Sequence, residues 1–248
     1  MKQAQRVRYN HPEMGPLTVE RLHADKVSYQ VARQVRHLIG AAYGDEFESL
    51  RTPVNVRLSK GRISNAYLVD SAPKIQEQQD RIEKAIKTGS SYWVLHAPAV
   101  DQGSKNPALD GLVKTTPSRG TITQRLHLSS PNCYLNDIMV RPGAAAGPTF
   151  RGVGSILLHT ALRHDRYDST ATVVADTYRY GRTGPRFFTD AGFTLNEDSL
   201  PEPTMFNQGE ESELLMPMDR REAQIYDVVQ RLTARFDWLA TAEVEYTA

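Results

Sequence analysis

Residues 134–162 read YLNDIMVRPGAAAGPTFRGVGSILLHTAL, and the fold turns on how that stretch divides. Tyr134 to Val140 is an apolar-alternating run and predicts a strand. Arg141 to Thr149 is dense in glycine, alanine and proline and predicts a loop. Arg151-Gly152-Val153-Gly154-Ser155 then opens an apolar helix over Ile156 to Leu162. Without a Cβ at 152 and 154, the backbone N–H groups there are able to approach a ligand closely. The start of a helix leaves its first N–H groups unpartnered and carries partial positive charge. Strand, glycine turn and helix start in that order suit a pyrophosphate, and Arg151 would add a charge-assisted contact. A plain tight turn is the other reading of the two glycines. The dinucleotide pattern GxGxxG fails because position 157 is leucine, and the phosphate-binding Gly-Lys-Ser/Thr loop is missing.

Downstream, Ala171 to Ala175 is rich in valine and threonine and predicts a strand. Asn196 to Glu211 reads as a polar loop, and Leu214 to Met216 as a short strand. From Asp219 to about Ala240, Ile225, Val229, Leu232, Phe236 and Leu239 recur at spacings of four and three, which predicts an amphipathic helix. Upstream, the first fifteen residues are polar and read as a tail or packed arm. Leu17 to His23 alternates as a strand. Asp25 reads as a cap for a helix carrying Val27, Val31, Val35, Leu38 and Ala42, which Gly44 would end. Residues 45–73 fit a hairpin or an irregular segment. Pro73 opens a charged helix to Lys87, and Tyr92 to Leu95, Leu109 to Thr115 and Thr121 to Leu128 read as strands.

This order predicts an α/β (α+β) fold: a mixed, mostly antiparallel, twisted sheet flanked by helices, with an extra C-terminal amphipathic helix. The organisation expected is a tail over 1–16, a domain over 17–218 and a helical extension over 219–248. With 40% hydrophobic and 24% charged residues the composition is that of a globular protein. The net charge of +1 gives no whole-chain steering toward nucleic acid or an acidic membrane. Neither an apolar run long enough to span a bilayer nor a signal-peptide core is seen in the sequence. The lone Cys133 fits a reducing cytoplasm and reads as a strand cysteine, because no base and orienting group stand beside it. His and Cys show no metal-ligand spacing, so no metal is expected.

Taken with Gly184-Pro185-Arg186-Phe187-Phe188-Thr189-Asp190-Ala191-Gly192-Phe193, the stretch over 152–158 resembles the GNAT superfamily of N-acetyltransferases. Members carry a strand ending in valine, a Q/R-x-x-G-x-G/A turn opening a helix, a further strand and helix, and a Gly-Phe pair. The resemblance implies acetyl-CoA, or another acyl-CoA, as cosubstrate. The backbone of Ile138, Met139 and Val140 would pair with the pantetheine arm, and Arg151, Gly152, Val153, Gly154 and Ser155 would hold the pyrophosphate. It implies direct attack of a primary amine on the thioester, without a covalent enzyme intermediate. The chain departs from the pattern at Thr149, where the family has Gln or Arg, and at Phe188, where members often carry a tyrosine able to protonate the leaving thiolate. Phe188 leaves a second reading open, that of a CoA-binding regulatory module with weak or absent turnover.

The candidate catalytic residues are Asp137 on the strand beside the expected thioester, Tyr134 on what strict alternation makes the opposite pleat, and Tyr178, near in sequence to the position Phe188 vacates. His159 and His164 read as surface or satisfied core histidines. The arginines of Arg179 to Arg186 read as a solvated loop or as contacts for a CoA phosphate or an anionic substrate such as RNA. The expected partners are an acyl-CoA and an amine acceptor, whether small molecule, peptide or protein. No membrane is expected, and of nucleic acids only aminoacyl-tRNA. The C-terminal helix is a candidate homodimer surface.

Overall fold

Val7, Tyr9 and His11 are buried while Arg8 and Asn10 between them are exposed, so the N-terminal residues follow the two-residue period of a strand. They form β1 (Ala4–His11), which pairs antiparallel with β2 (Gly15–Arg21) in a hairpin whose turn places Gly15 at φ +73°. The stretch expected as a tail or packed arm is therefore packed strand over residues 4–11; the arginines and asparagine interleaved with its core residues hid the alternation. The computed structural model describes residues 4–49, 71–96, 109–117, 131–141, 152–165, 167–168, 170–179, 184–199, 201, 204–207 and 213–246. Side chains are described outside 43–49, 131–132, 204–207 and 213–216. The expected strand over Thr121 to Leu128 and most of the segment over 45–73 lie outside those residues.

Among the described residues, nine strands make one sheet, in the order β11 (Glu243–Tyr246), β1, β2, β3 (Ser91–His96), β4 (Leu109–Thr116), β5 (Pro131–Val140), β6 (Thr172–Tyr178), β10 (Met218–Gln224) and β7 (Thr194–Leu195). A separate antiparallel pair joins β8 (Thr204–Asn207) to β9 (Glu213–Met216). Every described pairing in the large sheet is antiparallel except that of β5 with β6. The mixed, mostly antiparallel sheet flanked by helices is the fold class expected from the sequence.

Helices cover both faces. On one face, Tyr92, Val94, Leu112 and Met139 pack with Val35 and Leu38 of α1 (Tyr29–Ser49) and Ile82 of α2 (Ala72–Lys87). On the other, Trp93, Leu95, Val113 and Leu135 pack with Ile156, Leu157 and Leu158 of α3 (Val153–His164) and with Val228 and Leu232 of α5 (Ile225–Arg235). The short α4 (Gly184–Asp190) packs Phe188 into this second core. α3 packs closely over Gly111 of β4: a Cβ there would lie 2.6 Å from Leu157 Cδ1.

Three expected boundaries move. Ser28, not Asp25, caps α1, its Oγ accepting from the Val31 N–H at 3.2 Å. α1 also runs past Gly44 to Ser49; an interior glycine costs a helix only about 1 kcal/mol relative to alanine. The C-terminal helix begins at Ile225 rather than Asp219, because residues 218–224 form β10 against β6. Its apolar side, the candidate dimer surface, packs within the chain through Ile225, Val228 and Leu232.

α3, α5 and β1 meet at the fully buried His159. The Tyr9 hydroxyl lies 3.1 Å from His159 Nδ1 and 2.8 Å from Thr160 Oγ1, and Thr233 Oγ1 lies 3.3 Å from His159 Nε2. His159 is a core group and His164 is partly buried, and burial lowers His159 to about 3 and His164 to about 4 from 6.5. Between those values and 6.5 the unfolded chain binds protons that the native state refuses. Their contribution is thus complete above pH 6.5 and is lost as pH falls toward 4, by up to about 1.4 kcal/mol per pH unit for each histidine. Asp110, Asp137 and Asp165, raised by burial, act with opposite sign above the ordinary carboxylate range. Urea unfolding at a series of pH values isolates the histidine share: between pH 5 and 6.5, His159→Gln has the shallower pH dependence.

Candidate active site

β5 and β6 run parallel, and their pairing extends from Pro131↔Thr172 to Leu135↔Ala175. Beyond it, β5 continues to Val140, held on its outer side by β4, and β6 to Tyr178, held on its outer side by β10. The two strands thus continue as the arms of a split, with Asp137 to Val140 on one arm and Asp176 to Tyr178 on the other. The crossover between parallel neighbours is α3, which runs back against them. Its first residues therefore sit at the mouth of the split, past the end of β5. Gly152 caps α3 at φ +111°, and its carbonyl accepts the first helical bond from the Ile156 N–H at 2.8 Å. Gly152 itself brings no side chain to cap that end, and the N–H groups of residues 153–155 have no partner within the helix. Phe187 of α4 lies over Gly154, where a Cβ would come within 3.2 Å of its ring. Phe236 and Trp238 lie 3.7 Å from the Cβ position at Gly152. Arg151 lies outside the described residues.

The split begins beside a bulge. Lys114 faces Asp137, Thr115 faces Leu135 and Thr116 faces Tyr134, so Asn136 is an extra residue on β5. Lys114 and Thr116 stand two apart on β4 and share a face, so their partners Asp137 and Tyr134 share it as well. The expectation that Tyr134 lies on the opposite pleat is corrected: the bulge resets the alternation. Val174, across from Tyr134, sets the same face for Asp176 and Tyr178 of β6. All three candidate catalytic side chains thus leave the sheet on the face that α1 and α2 cover. Met139 shares that face, whereas Ile138 packs toward α3.

Burial raises the Asp137 carboxyl above its ordinary range, with Lys114 opposing. The Lys114 ammonium also lies over the ring of buried Tyr92, 5.6 Å from its centroid. The Tyr134 hydroxyl donates to Asp176 Oδ2 at 3.0 Å, and burial, reinforced by that carboxylate, raises the phenol. Arg220 of β10 grips both oxygens of Asp176 with one edge, Nε to Oδ1 at 3.0 Å and Nη2 to Oδ2 at 3.2 Å, while its Nη1 reaches Ser199 Oγ at 2.8 Å. Sequence reasoning missed Asp176, Arg220 and Lys114. A charged residue inside the apolar run Val173-Val174-Ala175-Asp176 was the available signal for the first.

Other candidates fall elsewhere. Cys133 is buried on the α3 face, where burial pushes its thiol up, so it is a core cysteine. Phe188 is buried between Phe187 and Phe193. Arg179 pairs with Asp219 at 2.7 Å, and Tyr180 and Arg182 lie outside the described residues. Among the described residues no group of His, Cys, Asp and Glu has the arrangement of a metal site, and no helix is long and apolar enough to cross a membrane.

No family model and no curated protein matches the chain. Solved structures do. The bh2621 protein of Bacillus halodurans superposes at a TM-score of 0.51 with 10% identity, over 96% of this chain and 98% of that one. The spermidine/spermine N-acetyltransferase SpeG of Vibrio cholerae gives 0.49 with 12% identity, over 87% of this chain and 97% of that one. A GNAT-family acetyltransferase of Streptococcus pneumoniae gives 0.47 with 11% identity, over 84% and 98%. At these identities the likeness is one of fold, and the Bacillus halodurans chain carries it almost from end to end of both molecules.

Proposed function

We propose that the chain is an acyl-CoA-dependent N-acyltransferase of the GNAT type, transferring an acetyl group to a primary amine by direct attack. One observation carries the reading: a split between two parallel strands opens onto a glycine-led helix start. The unpaired inner edge of β5 at Ile138, Met139 and Val140 offers backbone groups to an extended pantetheine arm. Gly152, Val153, Gly154 and Ser155, with Arg151, would hold the pyrophosphate. The thioester supplies an activated acyl carbon and a thiol leaving group. Asp137, raised by burial, is the proton acceptor for the amine. Tyr134 places a hydroxyl, oriented by Asp176, at the base of the split, and Tyr178 shares its face on the opposite arm. Phe188 favours one alternative, a CoA-binding module without efficient turnover, because its ring brings no hydroxyl to the site.

Calorimetry with acetyl-CoA and thiol release against a panel of amines test the reading. Binding with amine-dependent release supports the transferase, binding without release supports the module, and absence of binding sinks both. Gly152→Val tests the turn itself. A β-branched residue at φ +111° is a steric outlier, and the backbone shift that relieves it turns the N–H groups away. Loss of one hydrogen bond to a charged group corresponds to about 10- to 100-fold in acetyl-CoA affinity, measured beside thermal unfolding to confirm that the variant folds.

A further inference from the structure

Arg141 follows the last residue of β5 and shares the face of Asp137 and Met139 by alternation. It lines a cavity of about 170 Å³ together with Gln30, Arg33, Gln34 and His37 of α1. Among the described residues, the lining is three basic groups and two amides. One edge of the Arg141 guanidinium is fixed: Nε and Nη2 donate to the Leu109 carbonyl at 3.1 and 2.7 Å, and the Asp110 carboxylate stands 3.7 Å from Nε. Asp110 offsets one of the positive charges. Arg141 thus lines the cavity with its guanidinium held by backbone contacts in one orientation rather than free to rotate. A planar fork so anchored is suited to an oxyanion.

We propose that this cavity receives an anionic group carried by the amine acceptor, with Arg141 as its anchor and Arg33 beside it on the cavity wall. The inference rests on the transferase reading and deepens it by naming a substrate class. Four residues of strand separate Asp137 from Arg141, roughly 13 Å of backbone at about 3.3 Å per residue. The accepted molecule is therefore an amine whose anion lies on the order of 10 Å away. A free α-amino acid is too short, and an extended peptide of three residues with a free carboxylate spans the distance. The cosubstrate also carries phosphates, so an anion site here has two possible sources, which different arms of the test separate.

The probes are triglycine and triglycinamide, which differ only in the terminal charge, each titrated into the protein saturated with CoA. Triglycine binds at least about tenfold more tightly than its amide, the effect of one charge-assisted hydrogen bond. Arg141→Gln and, independently, the exposed Arg33→Gln erase that preference, and Arg141→Lys restores part of it. Equal binding of the two probes, binding of neither, or a preference that survives both glutamine variants overturns the inference. If Arg141→Gln instead weakens acetyl-CoA and leaves the tripeptide preference unchanged, the cavity serves the cofactor's phosphate and the inference is again overturned. Failure of the wild-type chain to bind acetyl-CoA at all is a different result, and it strikes the transferase reading itself.

Discussion

Asp137→Asn lowers kcat for amine acetylation by about a hundredfold to ten-thousandfold, the range for a lost general base, and leaves acetyl-CoA affinity within about twofold. The asymmetry is the informative part. Backbone groups of β5 and α3 hold the cosubstrate in the proposed site, and an asparagine is isosteric with the residue it replaces, so cosubstrate binding survives. The amide accepts no proton at working pH, so the chemical step does not. Burial raises the Asp137 carboxyl. The wild-type rate thus falls as pH drops through a value above the ordinary aspartate range, where the base becomes protonated, and the residual rate of the variant lacks that limb. Steady-state kinetics over pH 5 to 9, with calorimetry on the same samples, decides it. An unchanged kcat removes Asp137 from the mechanism. Equal losses in kcat and in acetyl-CoA affinity make it a structural residue.

The second large effect is on stability. Arg220→Met leaves the Asp176 carboxylate, whose side chain is 10% exposed, without the guanidinium that grips both its oxygens. Removing one partner of a buried pair costs about 3–5 kcal/mol, because the survivor stays buried and charged. Asp176→Asn with Arg220→Met removes both charges and recovers most of that loss, since an apolar or neutral replacement for a buried pair is often near neutral. Urea unfolding of the two single variants and the double variant forms a complete cycle. Additive losses would show that the pair contributes nothing beyond its separate members. The single variant also releases the acceptor that orients the Tyr134 hydroxyl, so kcat falls in the fraction that remains folded.

The central strand, the glycine turn and the helix it opens were legible because each has a local cause. Apolar alternation, a stretch of glycine and proline, and an apolar helical run all leave their mark within a few residues of one another. The site around them was legible only in part. Asn136 looks like any polar residue in a strand, and that it is a bulge follows from its pairing with β4, which no local pattern encodes. The face assigned to Tyr134 was wrong for that reason. β10 was hidden because the charges of Met218-Asp219-Arg220-Arg221-Glu222 suit a helix surface. Only a partner strand carrying Asp176 gives Arg220 a buried role. β1 was hidden in the same way, its arginines answered by Glu20 and Glu245 from the strands on either side.

That last pairing has a bearing on how the chain is made. β1 lies between β2 and β11, and its register joins Ala4 to Tyr246. Ribosomal synthesis at about 5–20 residues per second separates those two residues by roughly 10 to 50 seconds. For that interval the hairpin of β1 and β2 can exist, but its outer edge has no strand to meet. Arg6 and Arg8 then stand on an open edge, where like charges discourage the edge of another nascent chain from adding on. The same two arginines that ion-pair with Glu245 in the finished sheet guard that edge while the sheet is incomplete.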